Sequence, residues 1–439
     1  MRKNAVSPQP AAGTAVQPVT TGMIENTETT VAGTDPTRRR FLTRGASAAG
    51  MVISGGAIAQ EAPAWTKAPG TPMRAYGTPS KFEAPVQRPS ASGYASVSPG
   101  TGSSRTPHQS LEGTITPSGL HFERHHNGVP DIDPAKHELL IHGLVNRPLV
   151  FNLATLSRYP MVSRTYFVEC AGNSGANSGP KPVQGTAGAI HGLASVSEWT
   201  GVPLSLLLNE AGIAPGAQWV LAEGADAAVM TRSVPLTKIM DDAMVALYQN
   251  GERVRPEQGY PMRLLLPGWE GNMSVKWLRR LKLTDGPTHT KDETSKYSDL
   301  QPDGKSRQFT FDLGVKSIIT FPSFGNKLDR HGLYELTGIA WSGAGKIARV
   351  EVSANGGASW VDAPLQGPIF SKSFTRFRLP WEWNGTAAVL QSRATDEKGN
   401  VQPTRQAFTS QYIVGMNYHN HYIQTWAIAA DGSISNVYA

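Results

Sequence analysis

Tyr166-Phe167-Val168-Glu169-Cys170-Ala171-Gly172-Asn173 is the stretch on which the fold is read. Tyr166 to Val168 is a short apolar run and predicts a strand. Ala171-Gly172-Asn173 and a Gly/Ser-rich loop, Ser174 to Gly179, follow without a helix signal. Cys170 is the only cysteine in 439 residues. A thiol at the point where a strand gives way to a loop is placed to touch a ligand. Read alone, a single cysteine is more often a small buried apolar residue. The rest of the chain decides between the two.

The chain is long enough for two or more domains with full cores. No apolar run reaches the length of a membrane span. One cysteine excludes an internal disulfide framework and any Cys-rich zinc or iron–sulfur site. Thr37-Arg38-Arg39-Arg40-Phe41-Leu42 is a twin-arginine pattern, followed by an Ala/Gly-rich run and an Ala57-Ile58-Ala59 cleavage pattern. Residues 1–59 therefore read as a twin-arginine leader, and the expected compartment is the periplasm. Removing its six Lys/Arg and three Asp/Glu takes the formal charge from +7 to +4. The remainder is mildly basic, with no basic stripe interleaved with aromatics, so nucleic acid is not an expected partner.

Residues 60–110 are rich in Pro, Ser, Gly and Thr and read as an extended arm. Residues 111–300 mix short strands with short helices, which predicts α+β. His137–Gly143, Pro148–Asn152, Trp219–Ala222, Met244–Tyr248 and Arg263–Leu266 read as strands, Leu204–Ala211 and Pro235–Met240 as helices. No G-x-G-x-x-G follows a strand and no G-x-x-x-x-G-K-[ST] is present, which disfavours nicotinamide and P-loop chemistry. From about Lys316 the pattern alternates apolar and polar, with turns such as Asn355-Gly356-Gly357. This predicts an all-β, immunoglobulin-like sandwich over 301–425 without its disulfide, and a C-terminal tail over 426–439. His121, His125 and His126 would suit zinc on one helix face, yet Gly128, Pro130 and Pro134 argue against a helix. An anion pocket built from Arg124 and a histidine is the better expectation.

Six motifs stand in sequence: Phe122-x-Arg124-x-His126, Glu169-Cys170-Ala171-Gly172-Asn173, Pro261-x-Arg263, Val275-Lys276-Trp277, Trp341-Ser342-Gly343 and Asn400-Val401-Gln402-Pro403. In this order, and with a single cysteine, they resemble the sulfite oxidase family of molybdenum enzymes over roughly Gly119 to Gln424. The resemblance implies a molybdenum–molybdopterin cofactor (Moco), with Cys170 as the protein's one ligand to the metal. It implies that Phe122, Arg124, His126, Asp226, Gln258, Arg263, Ser274, Val275 and Lys276 hold the cofactor. It places Tyr297 beside the metal as a hydrogen-bonding and proton-exit residue, and Arg124 with Arg376 or Arg378 on the anionic transition state and product. A sandwich that pairs two molybdenum chains is also implied.

The sequence departs from the family where an arginine is expected soon after Cys-Ala-Gly-Asn; Ser174-Gly175 stand there. Thr186-Ala187 replace an expected tryptophan, and Gln258 an expected histidine. Loss of a cation and a bulky ring predicts a wider pocket with a weaker hold on free sulfite. His191 is a candidate replacement polar contact. Glu293-Thr294-Ser295-Lys296-Tyr297 and Arg376-Phe377-Arg378-Leu379-Pro380-Trp381 point to the branch of the family that oxidises carrier-bound sulfane sulfur. With no C-x-x-C-H haem site in the chain, the resemblance implies a c-type dihaem cytochrome subunit as electron acceptor and a sulfur-carrier protein bearing the substrate. The assembly implied is a homodimer of molybdenum chains within a heterotetramer. Three alternatives stay open: a periplasmic sulfite dehydrogenase, a thiol hydrolase using Cys170 with His191 or His126 as base, and a non-catalytic binding protein.

Overall fold

The computed structural model describes residues 62–91, 98–412 and 418–438. The expected leader, residues 1–59, lies outside the described residues; residues 62–72, in a unit separate from the rest, carry one turn of 3-10 helix, Ala64–Thr66. Residues from Met73 onward form the second unit, which holds both expected domains.

Two five-stranded sheets build the first domain. In one, Val162–Glu169 lies antiparallel to Ala194–Pro203, which pairs with Met244–Gln249; that strand also takes Glu252–Arg253 and Arg263–Leu265. The Asn250-Gly251 turn, with both residues at positive φ, closes the hairpin between Met244–Gln249 and Glu252–Arg253. The other sheet runs Leu149–Asn152, Glu138–Gly143, Leu278–Thr284, Trp219–Gly224, Thr231–Pro235. Its one parallel pair is Glu138–Gly143 with Leu278–Thr284. Helix Leu204–Ala211 buries Leu204, Leu207, Leu208 and Ala211, the i, i+3, i+4, i+7 stripe, and stops at Gly212 with φ +72°. Asn152 and Thr155 form a reciprocal capping box on the short helix Leu153–Leu156.

Lys316–Phe321, Gly332–Trp341, Thr375–Trp383 and Leu365–Gln366 form one sheet of the sandwich. Val361–Asp362, Ile347–Ser353, Ala388–Asp396, Thr425–Ile428 and Ile434–Val437 form the other. The last two strands correct the expected tail: 425–437 belong to the sandwich, and Trp426 is fully buried in its core. The expected arm is also shorter than 60–110. Gly102–Ser104 pairs with Glu123–His125, and Thr106 is buried with its hydroxyl 2.6 Å from that of Ser195. The two domains share a core. Phe167, Ala194 and Val196 of the first pack on Leu313, Ile318, Ile339, Trp341 and Phe374 of the second.

Candidate active site

Strand Val162–Glu169 explains the placement of Cys170. Side chains alternate across a strand. Phe167 and Glu169 turn to the sandwich, whereas Val168 and Cys170 line a cavity of about 670 Å³ including its open mouth. The Cys170 N–H donates to Leu193 O at 2.9 Å, and the chain then turns back through Asn173 N–H to Cys170 O at 2.8 Å. Ser174 takes the left-handed conformation, φ +65°, that completes the turn.

The cavity draws on four other segments. Glu123–His125 brings Phe122, Arg124 and His126. The turn between Trp219–Gly224 and Thr231–Pro235 brings Asp226, whose backbone O and Oδ1 accept from Val229 and Met230 N–H. The Gln258–Lys276 segment brings Gln258, Arg263, Ser274, Val275 and Lys276, and Tyr297 closes the far wall. Gln258 Nε2 donates to Phe122 O at 2.8 Å, tying two walls together. Arg263 donates to Gln258 O (3.0 Å) and Ser274 O (2.9 Å) and stacks on Trp199. Lys276 Nζ donates to Arg124 O (3.2 Å) and Glu257 O (3.0 Å) and meets His125 Nδ1 (2.9 Å).

Arg124, Arg263 and Lys276 make no ion pair among the described residues, and Asp226 is the one carboxylate that lines the cavity. Arg263 is 2 % exposed, and its Nε has no hydrogen-bond partner. Burial pushes its guanidinium down to about 9. Burial, and then Arg263, push the Lys276 ammonium down to about 7. Cations held this way, with an unused N–H, fit the phosphate of a bound cofactor. Burial raises the Cys170 thiol, and a thiophilic metal would displace that proton. No three His, Cys, Asp or Glu side chains converge as a metal site among the described residues. A metal at Cys170 therefore needs most of its ligands from the cofactor itself. The site residues fit that group.

His126 Nε2 lies 3.0 Å from the Tyr297 hydroxyl. Burial, then Arg124, lower His126 to about 3, and burial raises Tyr297. The neutral imidazole is thus the acceptor and the phenol the donor.

Three expected site residues are elsewhere. Arg376 donates to Leu111 O, Gly113 O and Thr337 Oγ1, and Arg378 pairs with Glu112 and Glu335. Neither lines the cavity; both fasten residues 111–113 to the sandwich. His191 is buried outside the cavity, with Nδ1 2.6 Å from Ser174 Oγ and Nε2 3.0 Å from Gln424 Oε1. No histidine nitrogen hydrogen-bonds Cys170 Sγ among the described residues, so the geometry supplies no Cys–His pair for a hydrolase. Sequence reasoning missed Asn272 and Met230, which line the cavity, and Arg232 behind it. Arg232 stacks on Tyr297 at 5.0 Å and pairs with Glu270 at 3.1 Å. Nothing in its strand, Thr231–Pro235, sets it apart by composition.

A family described as the oxidoreductase molybdopterin-binding domain matches residues 126–291, and the Mo-co oxidoreductase dimerisation domain matches 307–426. A nitrate reductase [NADH] of Ulva prolifera is 31% identical over 70% of this chain, which spans 40% of that enzyme's length. The sulfite oxidase of Gallus gallus is 31% identical over 66% of this chain and 68% of its own. Among solved structures, the sulfane dehydrogenase SoxCD from Paracoccus pantotrophus aligns at 44% identity with a TM-score of 0.84, covering 88% of this chain and 100% of that one. The chain belongs to the sulfite oxidase family of molybdopterin oxidoreductases.

Proposed function

We propose that the chain is the SoxC-like molybdenum subunit of a sulfane dehydrogenase. It oxidises sulfane sulfur held on a SoxYZ-like carrier protein and passes electrons to a SoxD-like c-type dihaem cytochrome. The observation that carries this reading is the 44% identity to the solved sulfane dehydrogenase, against 31% to the chicken sulfite oxidase. Ser174-Gly175 support it, since no arginine stands after Cys-Ala-Gly-Asn to grip a small free anion. The twin-arginine pattern supports export to the periplasm, and the dimerisation domain supports a pair of molybdenum chains inside a heterotetramer.

When bound, the molybdenum–molybdopterin group supplies two-electron oxygen transfer to sulfur. Cys170 Sγ would be the protein's ligand to the metal. Arg263 and Lys276, with Ser274 and Val275 between them in the chain, would hold the cofactor phosphate. Phe122, His126, Asp226 and Gln258 would line the remainder. Arg124, within the cavity and without a carboxylate partner, would stabilise negative charge on the oxidised sulfur. The Tyr297 hydroxyl, whose one proton is directed to His126 3.0 Å away, would turn that proton to substrate oxygens once they are bound.

The test is molybdenum per chain in the exported protein, for wild type and Cys170→Ser, followed by turnover with two substrates. Near-stoichiometric metal in wild type and a turnover loss on the order of 10³-fold in the variant are expected. Persulfidated carrier should give a higher kcat/KM than free sulfite when a dihaem cytochrome accepts the electrons. Faster turnover of free sulfite would overturn the substrate assignment in favour of a sulfite dehydrogenase. Metal-free mature protein would overturn the whole reading.

A further inference from the structure

We infer that Lys316 and Trp341, both in the sandwich, are positioning residues for Cys170. The inference rests on Cys170 being the metal ligand. Glu169, the residue before it, is 4 % exposed and sends its carboxylate away from the cavity. Trp341 Nε1 donates to Glu169 Oε2 at 2.6 Å, and Lys316 Nζ donates to Oε1 at 3.3 Å. Lys316 and Trp341 are register partners on adjacent strands, so one rung of the sandwich sheet supplies both donors. Asn173 Nδ2 adds a third, to Oε1 at 2.8 Å.

The same lysine continues past the cysteine. Its Nζ also donates to Ser174 Oγ at 2.6 Å, on the far side of the turn. Leu193 closes the loop from below: its N–H donates to Asn173 Oδ1 at 3.0 Å, and its O accepts the Cys170 N–H at 2.9 Å. Residues 169, 170, 173 and 174 are thus all held, and two of the four through Lys316. Glu169 and Cys170 share a peptide unit and project to opposite faces. A shift of the carboxylate toward or away from the sandwich therefore moves Sγ in the cavity. Metal ligands tolerate only small errors of position, and the groups that orient them set ligand geometry.

A purely structural role for this pair would be domain cohesion. That is already supplied by Phe167, Ile318, Ile339 and Phe374, which join the domains through apolar contact beside the polar rung. The two roles can be separated. Trp341→Phe keeps the ring and removes the N–H; Lys316→Met keeps most of the volume and removes both donated bonds. Ile318→Val loosens the apolar contact and leaves both Glu169 and the Trp341–Phe374 ring contact in place.

The experiment uses full-length protein, prepared with cofactor and, from a host unable to make molybdopterin, without it. Two readouts are taken: the g-values of the Mo(V) electron paramagnetic resonance signal, and the alkylation rate of Cys170 in cofactor-free protein by iodoacetamide. The chain's single thiol makes the second unambiguous. Trp341→Phe and Lys316→Met should shift the g-values and change the alkylation rate about tenfold, the scale of one lost hydrogen bond to a charged group. Ile318→Val should lower Tm and move neither readout. Trp341→Phe with wild-type g-values and wild-type alkylation would overturn the inference, as would equal shifts in Ile318→Val. If Lys316→Met does not fold, Trp341→Phe still decides. Molybdenum missing from mature wild type would fail the ligand assignment itself, a result that alkylation of the cofactor-free protein does not depend on.

Discussion

Two sets of cations, buried or half-buried, lie within this chain and are treated in opposite ways. Behind the cavity and at the domain boundary, each has its carboxylate. Arg232 is fully buried and paired to Glu270 and Glu293, Lys316 to Glu169, and Lys238 to Asp242. Inside the cavity, Arg124, Arg263 and Lys276 have only backbone, hydroxyl, amide and imidazole hydrogen-bond partners. Desolvating a charge without a counter-charge is unfavourable. A fold that neutralises its buried cations elsewhere and leaves buried Arg263 unpaired beside half-buried Arg124 and Lys276 is built to receive an anion there. The contrast separates groups that hold the fold from groups that hold a cofactor, and it can be broken at either end.

The largest effect is expected at the paired end. Arg232→Met leaves Glu293 without its cation and Glu270 with His419 alone, and breaking such a buried pair destabilises by about 3–5 kcal/mol. Chemical denaturation of the cofactor-free protein would read this directly. The unpaired end should respond in reverse order. Arg263→Met should change the stability of cofactor-free protein by no more than about 1 kcal/mol, since the burial penalty of the charge leaves with it. It should weaken cofactor retention about 10–100-fold, measured as molybdenum content after dialysis. A large stability loss in Arg263→Met, matching that of Arg232→Met, would erase the distinction.

Lys276 sharpens the contrast through pH. Its pKa in the folded, cofactor-free protein is about 7, below the ordinary 10.5. Between those values the unfolded chain binds the proton that the folded chain does not. The Lys276 contribution to stability therefore rises with pH from about 7 towards 10.5 and is flat below 7. A bound anion restores the ammonium, so anion binding takes up a proton in the same window and weakens as pH rises. Comparing Tm of cofactor-free wild type and Lys276→Met from pH 6 to 9 checks the sign: only the wild type should show this slope.

Much of this arrangement was legible before any coordinates. Strands Glu138–Gly143 and Met244–Gln249 and helix Leu204–Ala211 fall, to within a residue, where the sequence pattern places them. The motif order brings Arg124 together with Arg263 and Lys276, both more than a hundred residues later in the chain. The failures have physical causes. Thr425–Ile428 and Ile434–Val437 cross the expected tail boundary because strands of four residues carry little alternation, although Asp431-Gly432 between them is a hairpin signal. Arg376 and Arg378 are cations in an alternating strand, and alternation says which residues share a face without saying what covers it. The cover is residues 111–113, more than 260 positions earlier. Arg232 and Glu270 were invisible for the same reason: a buried ion pair is a tertiary fact, and each partner alone looks like an ordinary surface charge.

The smallest expected effect tests what the cavity lacks. Gly175 follows the left-handed Ser174, is itself outside the left-handed region, and has open space where a Cβ would stand. Gly175→Arg can therefore be built without strain, and it adds one more cation with no carboxylate assigned to it. If the missing arginine is what turns this site away from free sulfite, the variant should lower KM for sulfite about tenfold, one charge-assisted hydrogen bond. Turnover of carrier-bound sulfur should fall or hold, because the new side chain narrows the approach. An unchanged KM for sulfite, with cofactor content intact, would mean that substrate choice lies in the cavity wall itself, which Gly175 does not line. Gly175 would then be a loop residue only.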